Sequence, residues 1–221
     1  MVSTASTTNR QKSAPKPSGP GRPKDLGKRA AILEAAKRLF ATEGFAGASM
    51  DQIAAEAGVS KLTVYSHFGD KEALFAAAIR AKCEEMLPAD LFRVEMKGPL
   101  RSQLKAIATG FFALISSDEA ISTHRMMLAP GNANDPLRTL FWEAGPKRTQ
   151  DEFCAFLQAR IGAGELDIAD AERATQQFFA LLKGELHGRM LCGLCARPPR
   201  GEVTAHIDAA VDMFLRAYAV R

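Results

Sequence analysis

The chain has 221 residues, 47% hydrophobic and 24% charged: enough apolar material for one or two folded cores, with no charge-free run long enough to span a membrane. Its formal net charge of +4 is unevenly held, since residues 1–82 carry 13 Lys and Arg against 7 Asp and Glu while residues 83–221 carry 16 against 18. A basic excess confined to one end is what a chain shows when that end alone meets a polyanion.

Residues 1–24 hold Arg10, Lys12, Lys16, Arg22 and Lys24 and no acid, and are otherwise rich in Ser, Thr, Pro and Gly. Such a stretch buries too little surface to offset the entropy of ordering and reads as a disordered basic arm. It has neither an amphipathic face for organelle import nor an apolar segment for secretion, so a cytoplasmic protein is expected. Within it, Gly21-Arg22-Pro23-Lys24 presents an arginine that can slide into a narrow minor groove, which makes Arg22 a candidate DNA contact.

From Leu26 to Glu43, Ile32, Leu33, Ala36, Leu39 and Phe40 recur at spacings of three and four, the pattern of an amphipathic helix, with Gly44 expected to stop it. Ser49 followed by Gln52 is a capping box. It opens a short helix with Ile53, Ala54 and Ala57 on one face, ended by Gly58. Ser60 then caps a second short helix, Lys61 to His67, whose Val64 and Phe68 point inward while Lys61, Thr63, Tyr65 and Ser66 stay outside. Gly69 ends it and Asp70 caps the next helix, which runs from Lys71 to about Met86 before Pro88 stops it. Small Ala54, turning Gly58 and buried Val64 meet the needs of a helix-turn-helix: close helix approach, a tight turn, and an anchor for the second helix.

The run Ser60-Lys61-x-Thr63-x-Tyr65-x-His67-Phe68-x-x-Lys71-Glu72-x-Leu74-Phe75 resembles the signature of the TetR family of transcriptional regulators. The resemblance implies a homodimer that binds a palindromic operator on double-stranded DNA and answers to a small-molecule effector. It also implies that Tyr65, His67 and Lys71 contact phosphate, with Lys71 aided by the positive end of its helix. Lys61, Leu62 and Thr63, at the leading end of the recognition helix, are the candidates for base edges. Ser49 and Ser66 complete the candidate DNA-contacting set.

Beyond Pro88 no strand pattern occurs, and the remainder is expected to be helical: Leu100 to Ile115, Glu119 to Leu128, Asp135 to Ile161, Asp170 to Leu191, and Val203 to Val220. Gly145-Pro146 should kink or break the third of these. The fold expected is all-α, with about nine helices. A basic arm (1–24) precedes a three-helix DNA-binding head (25–82), which is joined to a helical ligand-binding and dimerisation domain (83–221). The segments Phe141-Trp142-Glu143-Ala144-Gly145-Pro146 and Lys183-Gly184-Glu185-Leu186-His187 also look like the C-terminal part of one TetR subgroup.

Glycines at 184 and 188 stand one turn apart in a helix, where each costs about 1 kcal/mol against alanine, which suggests a close backbone approach. Resemblance to the family places that approach between two copies of the chain. Leu182, Gly184, Gly188, Ile207, Val211 and Phe214 are thereby the candidate dimer interface, against the simpler reading in which both faces are internal core. Phe111, Phe112, Met126, Met127, Trp142, Phe178 and Met190 are large, adaptable side chains suited to the wall of an apolar pocket, with Arg125 and His187 as polar handles.

Four cysteines are present, Cys83, Cys154, Cys192 and Cys195. Cys192-Gly-Leu-Cys195 lacks the second ligand pair that zinc needs and the βαβ setting of a thiol oxidoreductase. No metal or cofactor is expected, and no phosphate-cradling loop or hydrolase motif occurs, so nothing supports an enzyme. The competing hypothesis is a thiol-based redox sensor or thiol enzyme using Cys192 and Cys195. An operator complex that survives replacement of both cysteines by serine would separate the two.

Overall fold

The computed structural model describes residues 25–93, 98–130 and 135–220; Arg22 and the rest of the basic arm lie outside them. Ten α-helices follow in order: α1 (Leu26–Gly47), α2 (Met50–Glu56), α3 (Lys61–Phe68), α4 (Lys71–Met86), α5 (Leu100–Ile115), α6 (Asp118–Leu128), α7 (Pro136–Ala144), α8 (Pro146–Gly162), α9 (Ala171–Leu191) and α10 (Arg200–Tyr218). The protein is all-α, and the tenth helix arises because Gly145 and Pro146 do break the long stretch from Asp135 in two. Among the described residues the one piece of β pairing is an isolated antiparallel bridge between Leu166 and Ala219. It ties the end of α10 to the α8–α9 turn, where Asp167 donates its amide to the Tyr218 carbonyl at 2.8 Å.

Helix starts follow the caps that the sequence supplies. Asp25, Ser49, Ser60, Asp70, Ser117, Asp135 and Asp170 each accept a first-turn amide with their side chains, satisfying donors that no intrahelical carbonyl can reach. Two boundaries depart from expectation. Gly44 does not stop α1: with φ at 73° it bends the chain, and the helix resumes to Gly47 because the Ala48 amide closes back onto the Gly44 carbonyl at 3.1 Å. After Pro88, four residues, Ala89–Phe92, form a 3₁₀ turn that carries no periodic signal in so short a span.

Two apolar cores result. In the head, Ile32, Leu33, Leu39, Phe40, Ile53, Val64, Leu74 and Phe75 are buried together, and Met126, Met127, Leu137, Leu140 and Phe141 from α6 and α7 pack onto them. The second core is built by α5, α8, α9 and α10, with Leu104, Ile107, Phe153, Phe156, Phe178, Leu182, Val211 and Phe214 at its centre. Helix α4 serves both, with Leu74 and Phe75 in the first core and Cys83 and Met86 against the second. A rigid rod shared by two cores is a ready means of carrying displacement between them.

This arrangement corrects the interface assigned from sequence. Leu182, Ile207, Val211 and Phe214 are all under 5% exposed inside the protomer's own core and have no area left for a partner. The close approach at Gly184 is internal too: an added Cβ would lie 2.9 Å from Cε1 of His206 on α10. Gly184 has φ 44° and ψ −155° and kinks α9, and the Leu182 carbonyl is bonded by His206 Nε2 at 2.8 Å. Gly188, by contrast, faces open space.

Candidate nucleic-acid interface and ligand cavity

Both helices of the helix-turn-helix are capped at their starts. Ser49 Oγ accepts the Gln52 amide at 3.2 Å while Gln52 Oε1 accepts the Ser49 amide at 2.8 Å, and Ser60 Oγ accepts the Thr63 amide at 3.2 Å. Val64 is fully buried beneath α3. Its burial directs Lys61, Leu62, Tyr65 and Ser66 outward as one exposed face, with Leu62 78% and Tyr65 41% accessible. These side chains leave the outer face of α3 open to contact.

The other candidate contacts are partly engaged. Lys61 Nζ donates to Asp51 at 3.0 Å, and this bond holds its pKa above the ordinary lysine value. Thr63 is half-buried with its hydroxyl 2.9 Å from Ser60 Oγ, and Ser66 Oγ donates to the Thr63 carbonyl at 2.8 Å. His67 is half-buried with Nδ1 unpartnered among the described residues. Lys71, the first residue of α4, lies 4.6 Å from the Phe45 ring centroid, so its cation is positioned by an aromatic face as well as by the helix start. Ser49 is committed to the capping box. A cation that the sequence reading missed is Arg29, whose guanidinium sits 5.2 Å from the Phe68 ring at the far end of α3. A basic residue in the exposed first turn of α1 was the available signal.

Between the two cores lies a cavity of about 100 Å³. The head contributes Phe40 from α1 and Phe75 and Ile79 from α4; the other walls include Phe111 from α5, His124 from α6, Phe141 from α7 and Phe179 from α9. Gly145 and Pro146 line it as well, so the break between α7 and α8 does open onto empty space. Of the nine side chains assigned to a pocket from sequence, Phe111 alone reaches this one.

The other eight lie elsewhere, most of them with structural duties. Phe178 is fully buried in a ring stack with Phe153 at 4.6 Å, and Phe112 is buried beside His206. Met126 and Met127 pack on the head core, with Met126 Sδ accepting the Phe45 amide at 3.3 Å. Arg125 caps the end of α9 by donating to the Leu191 and Met190 carbonyls at 2.9 and 2.8 Å, and the Met190 side chain is buried. Trp142 is 46% exposed. His187 stands one ring behind the wall, 5.6 Å from His124. Burial, helped by the neighbouring His124 and Lys183, pushes its pKa down to about 4. Helical periodicity identifies which residues are inside, but not which inward side chains meet a void rather than one another.

The cysteines are all free. Cys83 lines the cavity, and burial drives its thiol up to about 11, where it is a poor nucleophile. Cys192 is exposed and Cys195 half-buried in the turn after α9. No helix among the described residues is long and apolar enough to cross a membrane.

A capped helix-turn-helix with an exposed recognition face, set on a helical bundle with a cavity, defines a DNA-binding transcriptional regulator. Residues 32–78 match the family described as bacterial regulatory proteins, tetR family. Residues 102–220 match the AefR-like transcriptional repressor C-terminal domain. The chain belongs to the TetR family of transcriptional regulators. It is 32% identical over 91 residues to the HTH-type transcriptional activator FasR of Mycolicibacterium smegmatis, a match spanning 41% of this chain and 42% of FasR. The chain therefore covers less than half of that relative's length. Its fold is similar to that of a TetR-family regulator from Mesorhizobium loti, with a TM-score of 0.74 and 26% identity over 88% of this chain and 98% of the other. It is also similar to the flavonoid-responsive regulator FrrA, with a TM-score of 0.67 and 31% identity over 89% of this chain and 100% of FrrA.

Proposed function

We propose that the protein is a homodimeric repressor that binds a palindromic operator and is released when a small, largely apolar ligand enters the cavity between the two cores. The observation that carries this reading is the position of α4. One part of it, Phe75 to Cys83, walls the cavity, and its first residue is Lys71, beside the recognition helix. At about 100 Å³ the cavity is smaller than the roughly 300–1,000 Å³ of sites that enclose drug-sized ligands. A ligand larger than a single ring must therefore push its walls apart, and α4 is one of them. Coupling of about 1–3 kcal/mol between ligand and operator gives a 5–150-fold loss of affinity. FrrA, similar over nearly the whole chain, is a flavonoid-responsive regulator, which supports an organic effector here.

Dimerisation is inferred from the needs of recognition, since one eight-residue helix offers few base contacts and two placed about 34–36 Å apart reach successive major grooves. The surface proposed for it is the outer face of α9 and α10, where Ala180, Ala205, Ala209 and Met213 are exposed and small side chains permit close packing.

The test begins with binding-site selection from random duplexes, which yields an operator. Hydrophobic compounds, flavonoids included, are then screened for a raised melting temperature and for release of that operator. At least one compound is expected to do both, and Ala120→Trp, which fills the cavity from α6, is expected to remove both responses. If no compound does both, or if Ala120→Trp leaves both responses intact, the reading fails.

A further inference from the structure

The cavity is apolar along most of its wall, but its charged groups are not equally satisfied. Lys37 is bonded to Glu34 at 2.6 Å and Glu85 at 2.9 Å, and Lys82 to Glu119 at 3.5 Å. Lys183, the remaining cation of the lining, has no acidic or hydrogen-bonding partner among the described residues. Its side chain is exposed yet lines the cavity, which places it at the mouth. The kink at Gly184 directly follows it in α9.

Two further nitrogen bases adjoin it. His124 lines the cavity, and its Nδ1 bonds to the Ala120 carbonyl at 2.7 Å; a carbonyl can only accept, so Nδ1 carries the proton. His187, 4% exposed and 5.6 Å from His124 ring to ring, has Nε2 without a partner. Loss of hydration lowers the pKa of Lys183 and of both histidines, and Lys183 depresses both histidines further; no carboxylate offsets the three. A buried polar nitrogen without a partner is unfavourable by itself, and the Lys183 ammonium at the mouth of the apolar void has no counter-charge beside it. An anion from outside would pair Lys183, whereas Nε2 of each neutral histidine carries a lone pair and accepts rather than donates.

We infer that the effector is an amphipathic organic anion, with its apolar body among Phe40, Phe75, Phe111 and Phe179 and a carboxylate, sulfonate or phenolate oxygen received by the Lys183 ammonium at the mouth. This rests on the cavity being the effector site. Within that site Lys183 determines ligand class: a neutral compound fills the void, and an acidic one is held at the mouth as well. An anion at such a site gains from a fixed positive field in partly desolvated surroundings, where charge-assisted hydrogen bonds are stronger than in water.

The test uses two fluorescent probes that differ only by an acidic group, 8-anilinonaphthalene-1-sulfonate and N-phenyl-1-naphthylamine. Dissociation constants are measured by fluorescence titration of the full chain. Wild type is expected to bind the sulfonate about 10-fold more tightly than the neutral amine. Lys183→Met should abolish that preference while leaving the neutral probe within about twofold, and Lys183→Arg should keep it. Lys183 makes no internal bond, so neither variant endangers the fold, and Ala120→Trp reports whether the probes occupy the cavity. If Lys183→Met leaves the ratio of the two constants unchanged, or weakens both probes alike, the anion inference is overturned while the cavity reading stands. If neither probe binds wild type, or if Ala120→Trp leaves both bound, the cavity reading fails and takes the inference with it.

Discussion

At the scale of single residues, the recognition face is held in check by its own neighbours. Lys61 is paired with Asp51, exposed on α2, at 3.0 Å, so an approaching phosphate or base must compete with a carboxylate for it. Asp51→Asn removes both the competitor and a like charge. It is expected to tighten binding to any duplex by about threefold and to steepen the salt dependence, as read by anisotropy at two salt concentrations; weaker binding would show instead that Asp51 positions Lys61. Inside the protein, His187 makes stability depend on pH. Its pKa of about 4 in the folded state lies below the ordinary 6.5, so between those values the unfolded chain binds a proton that the folded chain does not. Stability is therefore full above about pH 6.5 and falls by up to about 3 kcal/mol as pH drops towards 4. His187→Phe should flatten that slope in urea titrations across the range; an unchanged slope would assign it to other groups. Residue identity alone marked Val64 as an anchor and Lys61, Thr63, Tyr65 and Ser66 as outward-facing; Val64 is buried and Lys61, Tyr65 and Ser66 are exposed, while Thr63 is half-buried, because caps and a buried β-branched residue set the rotation of so short a helix. Lys183 was not legible as a cavity residue, since its place depends on a kink and on the absence of a partner in space.

At the scale of elements, most helix ends were readable because each rests on local chemistry: a Ser or Asp cap, a proline, a glycine in a turn. The glycines inside helices were harder. Gly44 and Gly184 both take positive φ within a continuing helix, and a pattern cannot distinguish a glycine that ends a helix from one that bends it. Gly184→Ala should lower stability by about 2 kcal/mol, because its backbone conformation is one that L residues rarely adopt and its new Cβ would meet His206 at 2.9 Å. His206→Ala in the same chain should recover a part of the loss, the steric share, in chemical denaturation. Full recovery would show that backbone strain contributes nothing. Gly188 offers a cleaner probe of assembly, since nothing lies within 4 Å of its added Cβ in the protomer. Gly188→Leu should leave the protomer's melting temperature unchanged within a degree or two. If α9 pairs across a dimer, sedimentation should show the dimer weakened.

At the scale of the whole molecule, the division into a head and a bundle was visible from the charge asymmetry and the helix-turn-helix spacing. The way they are joined was not. Helices α6 and α7 follow α5 of the bundle in sequence yet pack Met126, Met127, Leu140 and Phe141 on the head core, an outcome of long-range packing that periodicity cannot encode. The cavity sits where those helices, α4 and the bundle meet, and it is the central claim of this account that occupying it moves the recognition helices. The direct measurement is the dissociation constant for the selected operator, with and without a saturating compound already shown to raise the melting temperature of wild type but not of Ala120→Trp. A loss of operator affinity between 5- and 150-fold is expected for wild type, as about 1–3 kcal/mol of coupling dictates. An operator affinity that stays the same while the compound is demonstrably bound would contradict it.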